Sequence, residues 1–196
     1  MPAPLSAAAL DQLFVAARSL HGFTDEPLTD AILREVYDLA KWGPTAFNAQ
    51  PLRFVFIRTA AGKARLEPAL SSGNREKTRA APVTAIIAYD MQFYEHTPRQ
   101  FPRANVVDLF ARNPTLAEST AFRNGTLQGA YFLLAARAVG LSVGPMSGFD
   151  ADVVNREFFP DGRYRVNFLV NLGYAKEDAP WPRGPRLDFA EVAEFA

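Results

Sequence analysis

The sequence predicts an α+β domain in which helices and strands alternate along the chain. Three observations carry this expectation. Segments with apolar residues at helical spacing are interleaved with short runs rich in β-branched and aromatic residues. The 196 residues are 48% hydrophobic, which suits one compact domain over 1–196 with a substantial core. No stretch approaches the roughly 18 to 20 uninterrupted apolar residues that a membrane helix needs.

Ser6 is a candidate cap for a first helix carrying Leu10, Leu13, Phe14 and Ala17 on one face and ending near Arg18-Ser19. A second helix is expected after Pro27, capped by Thr29, with Ile32, Leu33, Val36, Tyr37 and Ala40 as its apolar stripe, and Gly43-Pro44 ends it. Arg53 to Thr59 reads as a strand, because Phe54, Val55, Phe56 and Ile57 cluster there. A short helix over Ala61 to Leu70 follows, and then a largely apolar strand, Val83 to Tyr89, suited to a sheet interior. Met91 to Pro114 reads as an ordered but irregular excursion rich in aromatics and prolines.

The longest helix is expected from about Leu116 to Val139, closed by Gly140. Leu116, Thr120, Leu127, Tyr131, Leu134 and Ala138 fall on one side of it. Ala121, Gly125 and Gly129 form a second face of small residues. Each internal glycine costs about 1 kcal/mol against alanine, so close approach of another backbone is the expected compensation. A strand, Val166 to Tyr174, leads to a proline-rich tail, Ala179 to Pro185, expected to run extended over the surface or onto a partner.

The composition also excludes chemistry. Without cysteine there is no disulfide, thiolate nucleophile or zinc-thiolate site, and with two histidines (His21, His96) no His-rich metal centre. Lys+Arg and Asp+Glu balance at 21 each, which argues against nucleic acid, whose binding draws on an excess of basic residues. Met1 to Ala9 carries no basic residue before its apolar run, so no secretory signal is expected and a cytoplasmic location is. In Gly144-Pro145-Met146-Ser147-Gly148 the serine stands one position late for a nucleophile elbow. The four lysines lie among polar neighbours, which does not favour a buried Schiff base. No catalytic side chain and no metal ligand is assigned, and a bound organic cofactor is the natural remedy.

Three separated segments hold the informative polar residues. Arg18-Ser19-Leu20-His21 suits a phosphate monoester, which needs charge and directional donors, although a helix C-terminus favours basic residues for dipole reasons as well. In Pro44 to Pro51, Thr45, Asn48 and Gln50 offer amides and hydroxyls to a planar heterocycle, or else satisfy their own turn. Gly140 to Gly148 brings glycines around Pro145-Met146-Ser147, so that backbone N–H groups can approach a ligand closely.

Taken in order, these segments resemble the nitroreductase family of FMN enzymes over nearly the whole chain. The carrying phrases are Arg18-Ser19-Leu20-His21-Gly22-Phe23, the Pro44 to Pro51 loop before an aromatic strand, Ala136 to Leu141 closing a long small-residue helix, the Pro145 to Gly148 turn, a Leu-Gly-Tyr strand and a tail arginine. Within the family the chain looks most like the RutE/HadB-like subgroup, which contains malonic semialdehyde reductase of pyrimidine utilisation. That likeness rests on Lys41 to Thr45, Pro68 to Asn74, Ala80 to Ile86, Glu118 to Asn124 and Gly144 to Asp150.

The resemblance implies a central, mostly antiparallel sheet flanked by helices, in an intertwined homodimer with FMN at the interface. It implies Arg18 and Ser19 at the FMN phosphate, with Arg183 or Arg186 from the tail and His21 where many members carry an arginine. Pro44, Thr45, Asn48 and Gln50 would contact the ribityl chain and ring, and the Pro145-Met146-Ser147-Gly148 backbone, Ser147 N–H first, would face flavin N5. NADPH or NADH would reduce FMN and leave, and the reduced flavin would then reduce a second substrate in the same pocket. By that likeness the substrate is malonic semialdehyde (3-oxopropanoate). The Met91 to Pro114 excursion is the expected lid, and its Arg99, Arg103 and Arg112 either offer a cation to the carboxylate or are simply solvated, so none is assigned to the site. A broad-specificity nitro or quinone reductase and a non-catalytic flavin-binding protein are the alternatives.

Overall fold

The structure, a computed structural model, describes residues 3–176 and 182–196. Its centre is a four-stranded antiparallel sheet in the order β1-β2-β4-β3, made of β1 (Leu52–Ile57), β2 (Val83–Asp90), β3 (Ser142–Met146) and β4 (Tyr164–Gly173). Every residue of β2 is buried, which is why its sequence is apolar without alternation.

The sheet lies between two helical layers. On one face α2 (Asp30–Ala40) and α7 (Pro114–Ala138) cover Val83, Ala85 and Ile87 of β2 and Val170 and Leu172 of β4, with Val36 and Phe132 at the centre. On the other, α3 (Ala60–Leu66) and α8 (Ala151–Phe158) cover Ile86, Ala88 and Leu169, through Leu66 and Val154. The helix starts are set locally. Ser6 Oγ accepts from Ala9 N–H at 3.2 Å to open α1 (Ala7–Leu10), and Thr29 Oγ1 accepts from Ile32 N–H at 3.3 Å to open α2. Past Leu10 the first helix widens to i→i+5 bonding over Asp11–Val15.

Several expectations are corrected. The helix expected over Ala61 to Leu70 stops at Leu66: Pro68 has no N–H to continue the ladder, the chain tightens through Glu67–Ala69, and Leu70 turns extended. A further helix, α4 (Ser72–Ala80), was not expected; its exposed, mostly polar sequence carries almost no apolar stripe. Nor was α8 expected, although Val153, Val154 and Phe158 give it an apolar side; it is capped by Asp150, whose carboxylate accepts from Val153 N–H at 3.0 Å. β3 replaces what reads as a Gly-Pro turn. It is an edge strand, so the missing N–H of Pro145 interrupts no interior ladder. The excursion is partly helical, with α5 (Thr97–Gln100) and α6 (Val107–Ala111), and Phe93, Val106 and Phe110 build a third core under it. Of the tail expected at Ala179 to Pro185, residues 179–181 lie outside the described residues; from Pro182 the chain runs extended to α9 (Phe189–Val192).

The small-residue face of α7 meets the chain's own sheet: a Cβ on Gly129 would lie 2.7 Å from the Phe168 ring, and one on Gly125 would lie 3.1 Å from Tyr89 Cβ. The close approach expected of another backbone is therefore made by side chains of the same chain. On the other side Leu116, Leu127 and Tyr131 are exposed at 41%, 47% and 40%. With Leu39 and Trp42 they leave large apolar side chains in contact with solvent.

Candidate functional site

The first and third polar segments come together at the β3 edge. Ser19 bridges Val143 in parallel register, and Leu20 N–H donates to the Val143 carbonyl at 3.1 Å. The contact is close enough that a Cβ on Gly144 would stand 2.5 Å from the Leu20 carbonyl oxygen. This fixes Arg18, whose Nη1 donates to the carbonyls of Val15, Ala16 and Ala17 at 2.9, 3.1 and 3.0 Å. Those carbonyls are the unsatisfied C-terminal acceptors of the first helix.

Three more guanidiniums converge on the same corner. Arg183 Nη2 donates to the carbonyls of Phe14, Val15 and Ala17. Arg186 Nη1 donates to Gly184 and Pro185, and Arg137, from the last turn of α7, donates Nη1 to the Leu13 carbonyl at 3.0 Å. Together with Ser19 and His21 they line a cavity of about 300 Å³ whose wall, among the described residues, carries no carboxylate. Arg137 Nε is buried and has no partner among the described residues. Burial, and then the neighbouring charges of Arg18 and Arg186, hold the Arg183 guanidinium below its ordinary range; burial and then Arg183 do the same to Arg137. His21 is lowered by burial and then by Lys77. Arg137 was not singled out from the sequence, where it stands as one basic residue near a helix C-terminus.

The third segment ends in a clamped turn. The Gly148 carbonyl accepts three bonds: from Ser71 N–H at 3.1 Å, Ser71 Oγ at 2.8 Å and Asn74 Nδ2 at 2.7 Å. Beneath it a buried polar set fixes the end of β3. Thr84 Oγ1 donates to Asn171 Oδ1 at 2.7 Å, and Asn171 Nδ2 donates to Thr78 Oγ1 at 3.3 Å and to Met146 Sδ at 3.7 Å. The N–H groups of Ser147 and Gly148 have no partner among the described residues. The turn therefore holds two backbone donors in a fixed direction. Asn74 and Lys77 lie three apart on α4, hence on one helix face, and burial pulls the Lys77 ammonium below its ordinary range. Neither was assigned from the sequence, although Ser71-x-x-Asn74-x-x-Lys77 at helical spacing was the available signal.

The second segment lies elsewhere. Pro44 to Pro51 precedes β1, at the opposite edge of the sheet and the opposite end of its strands from Ser19. Strand spacing and rise put the two segments roughly 25 Å apart, further than one mononucleotide spans. Within the chain the loop answers its own needs: Gln50 N–H donates to Thr45 Oγ1, Gln50 Nε2 to Asn48 Oδ1, and Asn48 Nδ2 to the Gln100 carbonyl. It does so under strain. Phe47, Asn48 and Gln50 adopt φ of 54°, 49° and 44°, the left-handed region that costs a non-glycine residue about 1 kcal/mol or more. Packing supports the strain, since the Phe47 ring meets Phe101 and Phe110 edge-on at 5.6 and 5.9 Å.

Comparison with known proteins agrees with this geometry. Residues 15–174 match the model of the Nitroreductase family. A protein of Burkholderia lata is 55% identical over 191 residues, covering 97% of this chain and 98% of its own length. One of Polynucleobacter asymbioticus is 52% identical over 195 residues, covering all of both. Both bear the name "Putative NADH dehydrogenase/NAD(P)H nitroreductase". Among solved structures, a nitroreductase-type protein of Bacillus subtilis superposes with a TM-score of 0.87 at 25% identity, covering 97% of this chain and 100% of that one. One from Exiguobacterium sibiricum, determined in complex with FMN, gives 0.85 at 21% identity over 99% and 100%, a likeness of fold.

Proposed function

The chain belongs to the nitroreductase family, and from that premise we propose that it is an FMN-dependent NAD(P)H oxidoreductase, one domain over 1–196, assembled as a homodimer. The observation that carries the reading is the arginine corner: four guanidiniums around one cavity with, among the described residues, no carboxylate in its wall and no acceptor for the buried Arg137 Nε. A phosphate dianion supplies both missing elements, negative charge and several acceptor oxygens. Arg18, Ser19, Arg183 and Arg186 hold it in this reading, with Arg137 added and His21 at the rim.

Pro145, Met146, Ser147 and Gly148 would hold the flavin ring in this reading, with the Ser147 and Gly148 N–H groups, which have no partner among the described residues, offered to its N5. Bound FMN supplies hydride chemistry, taking two electrons from a nicotinamide nucleotide and delivering them to a second substrate. The protein's own part is to hold, orient and exclude water. The clamp of Ser71 and Asn74 on the Gly148 carbonyl keeps the donors from rotating away, so their alignment costs no reorganisation during reaction.

Pro44, Thr45, Asn48 and Gln50 cannot reach that ring from the same chain. They belong to the partner's flavin in this reading, so each site is incomplete without a second copy. The exposed Leu116, Leu127, Tyr131 and Trp42 supply apolar surface for the interface in this reading.

For the second substrate we propose 3-oxopropanoate. Aldehyde, NAD(P)H and one proton give 3-hydroxypropanoate and NAD(P)+, which balances atoms and charge. The subgroup phrases support this reading; the names borne by the Burkholderia and Polynucleobacter relatives favour the second, a nitro or quinone reductase. Steady-state NADH and NADPH oxidation by FMN-loaded protein, with 3-oxopropanoate, propanal, a nitroaromatic and a quinone as acceptors, separates them. Activity confined to the last two overturns the aldehyde reading, and no FMN uptake overturns the flavoenzyme.

A further inference from the structure

A second polar concavity lies beside the strained loop, far from the arginine corner. It has a volume of about 250 Å³ and is walled by α2, the start of β1, α5 and Gln128 of α7. Lys41, Arg53, His96 and Arg99 all face it, together with Gln50.

The acids around it are accounted for. Asp90, fully buried beneath, is bound by Arg53 Nη2 at 2.7 Å and by Arg163 Nε at 3.2 Å, with His96 Nε2 at 3.8 Å. Asp38 pairs with Lys41 at 2.5 Å from the exposed side of α2. Glu95 is engaged by Arg163 at 2.9 Å. Arg99 has no hydrogen bond or ion pair among the described residues. Next to it Gln100 Oε1 is buried and likewise without a partner. The wall thus presents a spare guanidinium together with the Lys41 ammonium and the His96 imidazole, and beside them an acceptor waiting for a donor.

We infer that this concavity is an oxyanion subsite in which Arg99 receives the acidic group of the enzyme's non-flavin ligand, with Lys41 and His96 flanking it. A planar guanidinium with free donors pairs with two oxygens of one carboxylate or phosphate. The Gln100 amide oxygen accepts a hydroxyl or amide proton from the same ligand. Assigning the anion to a substrate or nucleotide rests on the proposed flavoenzyme reading, since Gln50 is shared with the loop given there to the partner's flavin. Two sources have the same chemistry: the carboxylate of a short acid and a phosphate of the nicotinamide nucleotide.

Isothermal titration of FMN-loaded protein distinguishes them, using 3-hydroxypropanoate and adenosine 2′,5′-bisphosphate as probes against wild type and Arg99→Gln. Arg99 is exposed, so an unchanged melting temperature is the check that the variant is folded. We expect one probe to bind at least tenfold more weakly to the variant, and the probe that does names the source. Equal affinity of both probes for the two proteins overturns the subsite. Should the protein take up no FMN, the flavoenzyme reading falls by itself, while Arg99-dependent binding of either probe remains measurable and decides the subsite.

Discussion

Replacing Gly144 by alanine tests the junction on which the cofactor corner depends. A Cβ there would stand 2.5 Å from the Leu20 carbonyl oxygen, whereas an ordinary C···O contact needs about 3.3 Å. Segment 18–21 and β3 must therefore part by roughly 0.8 Å. The Leu20 N–H to Val143 bond spans the same gap at 3.1 Å, so it would stretch past hydrogen-bonding range. Losing it costs about 1 kcal/mol, and the strain of overpacking a further 1 to 3 kcal/mol or so. At about 2 to 4 °C per kcal/mol for a chain of this size, melting should fall by roughly 4 to 16 °C. Because Arg18 and Ser19 ride on the displaced segment, FMN affinity should fall about tenfold or more, the loss of one charge-assisted bond. Circular dichroism melts and FMN fluorescence titration read the two effects. Gly73→Ala is the control: it sits in α4 with nothing within 4 Å of the new methyl, so it should gain about 0.5 to 1 kcal/mol. Wild-type melting and FMN affinity in Gly144→Ala would refute the wedge and, with it, the claim that the phosphate corner is built against β3.

Arg137→Gln should weaken FMN by about tenfold with little change in fold, and equal affinity in a fluorescence titration removes Arg137 from the corner. His21, lowered by burial and then by Lys77, is neutral near pH 7 in the FMN-free protein, where its contribution to stability is present above its unfolded pKa of about 6.5 and lost as pH falls. An arriving phosphate dianion reverses that bias, so FMN binding should take up protons and tighten as pH drops from about 7.5 towards 6.5. Titration calorimetry in two buffers of different ionisation heat measures the uptake, and the same uptake in His21→Asn contradicts the assignment. Leu127→Arg places a charge on the exposed apolar side of α7 and should turn a sedimenting dimer into a monomer. A wild-type monomer that retains FMN at micromolar concentration sinks the shared-site reading.

What was legible in the sequence was whatever a strong period or a defined cap encodes. β2, β4, α2 and α7 sit close to where their patterns placed them. Missed elements have weak local signals. α4 has almost no apolar residues, and β3 is written Ser-Val-Gly-Pro-Met, a string whose strand character comes from pairing with β4 and not from propensity. On α7 both faces were legible, and what packs against the small-residue face was not. Glycines on a long helix signal close approach, but the partner is the sheet carrying Phe168 and Tyr89; the larger residues are left outside. Of the candidate site residues, Arg18, Ser19, His21, Arg183 and Arg186 do gather round one cavity, with Pro145 to Gly148 along the same edge, while Thr45, Asn48 and Gln50 lie roughly 25 Å away. Sequence order carries no information on which copy of a chain completes a site, so the separation was invisible until the strands were registered.

The arginine corner also shows why two readings of Arg18 need not compete. As a basic residue after a helix it was expected to meet the helix dipole, and it does: Val15, Ala16 and Ala17 all accept from it. Arg183 and Arg137 use the same end of the same helix. Carbonyl oxygens satisfy N–H donors but carry only partial charge. They can therefore hold three guanidiniums in fixed directions without neutralising them. Burial first, and then the neighbouring guanidiniums, hold Arg183 and Arg137 below their ordinary range, with Asp11 offsetting part of the effect at Arg183. Hydrogen-bond satisfaction and charge compensation are different quantities here: the carbonyls meet most of the first, Arg137 Nε excepted, and little of the second. A dianion entering the corner relieves repulsion among cations whose positions are already set, so little ordering entropy is lost on binding. The same logic makes the FMN-free protein sensitive to salt. Raising ionic strength screens the repulsion and should stabilise the apo form, while weakening its hold on the phosphate.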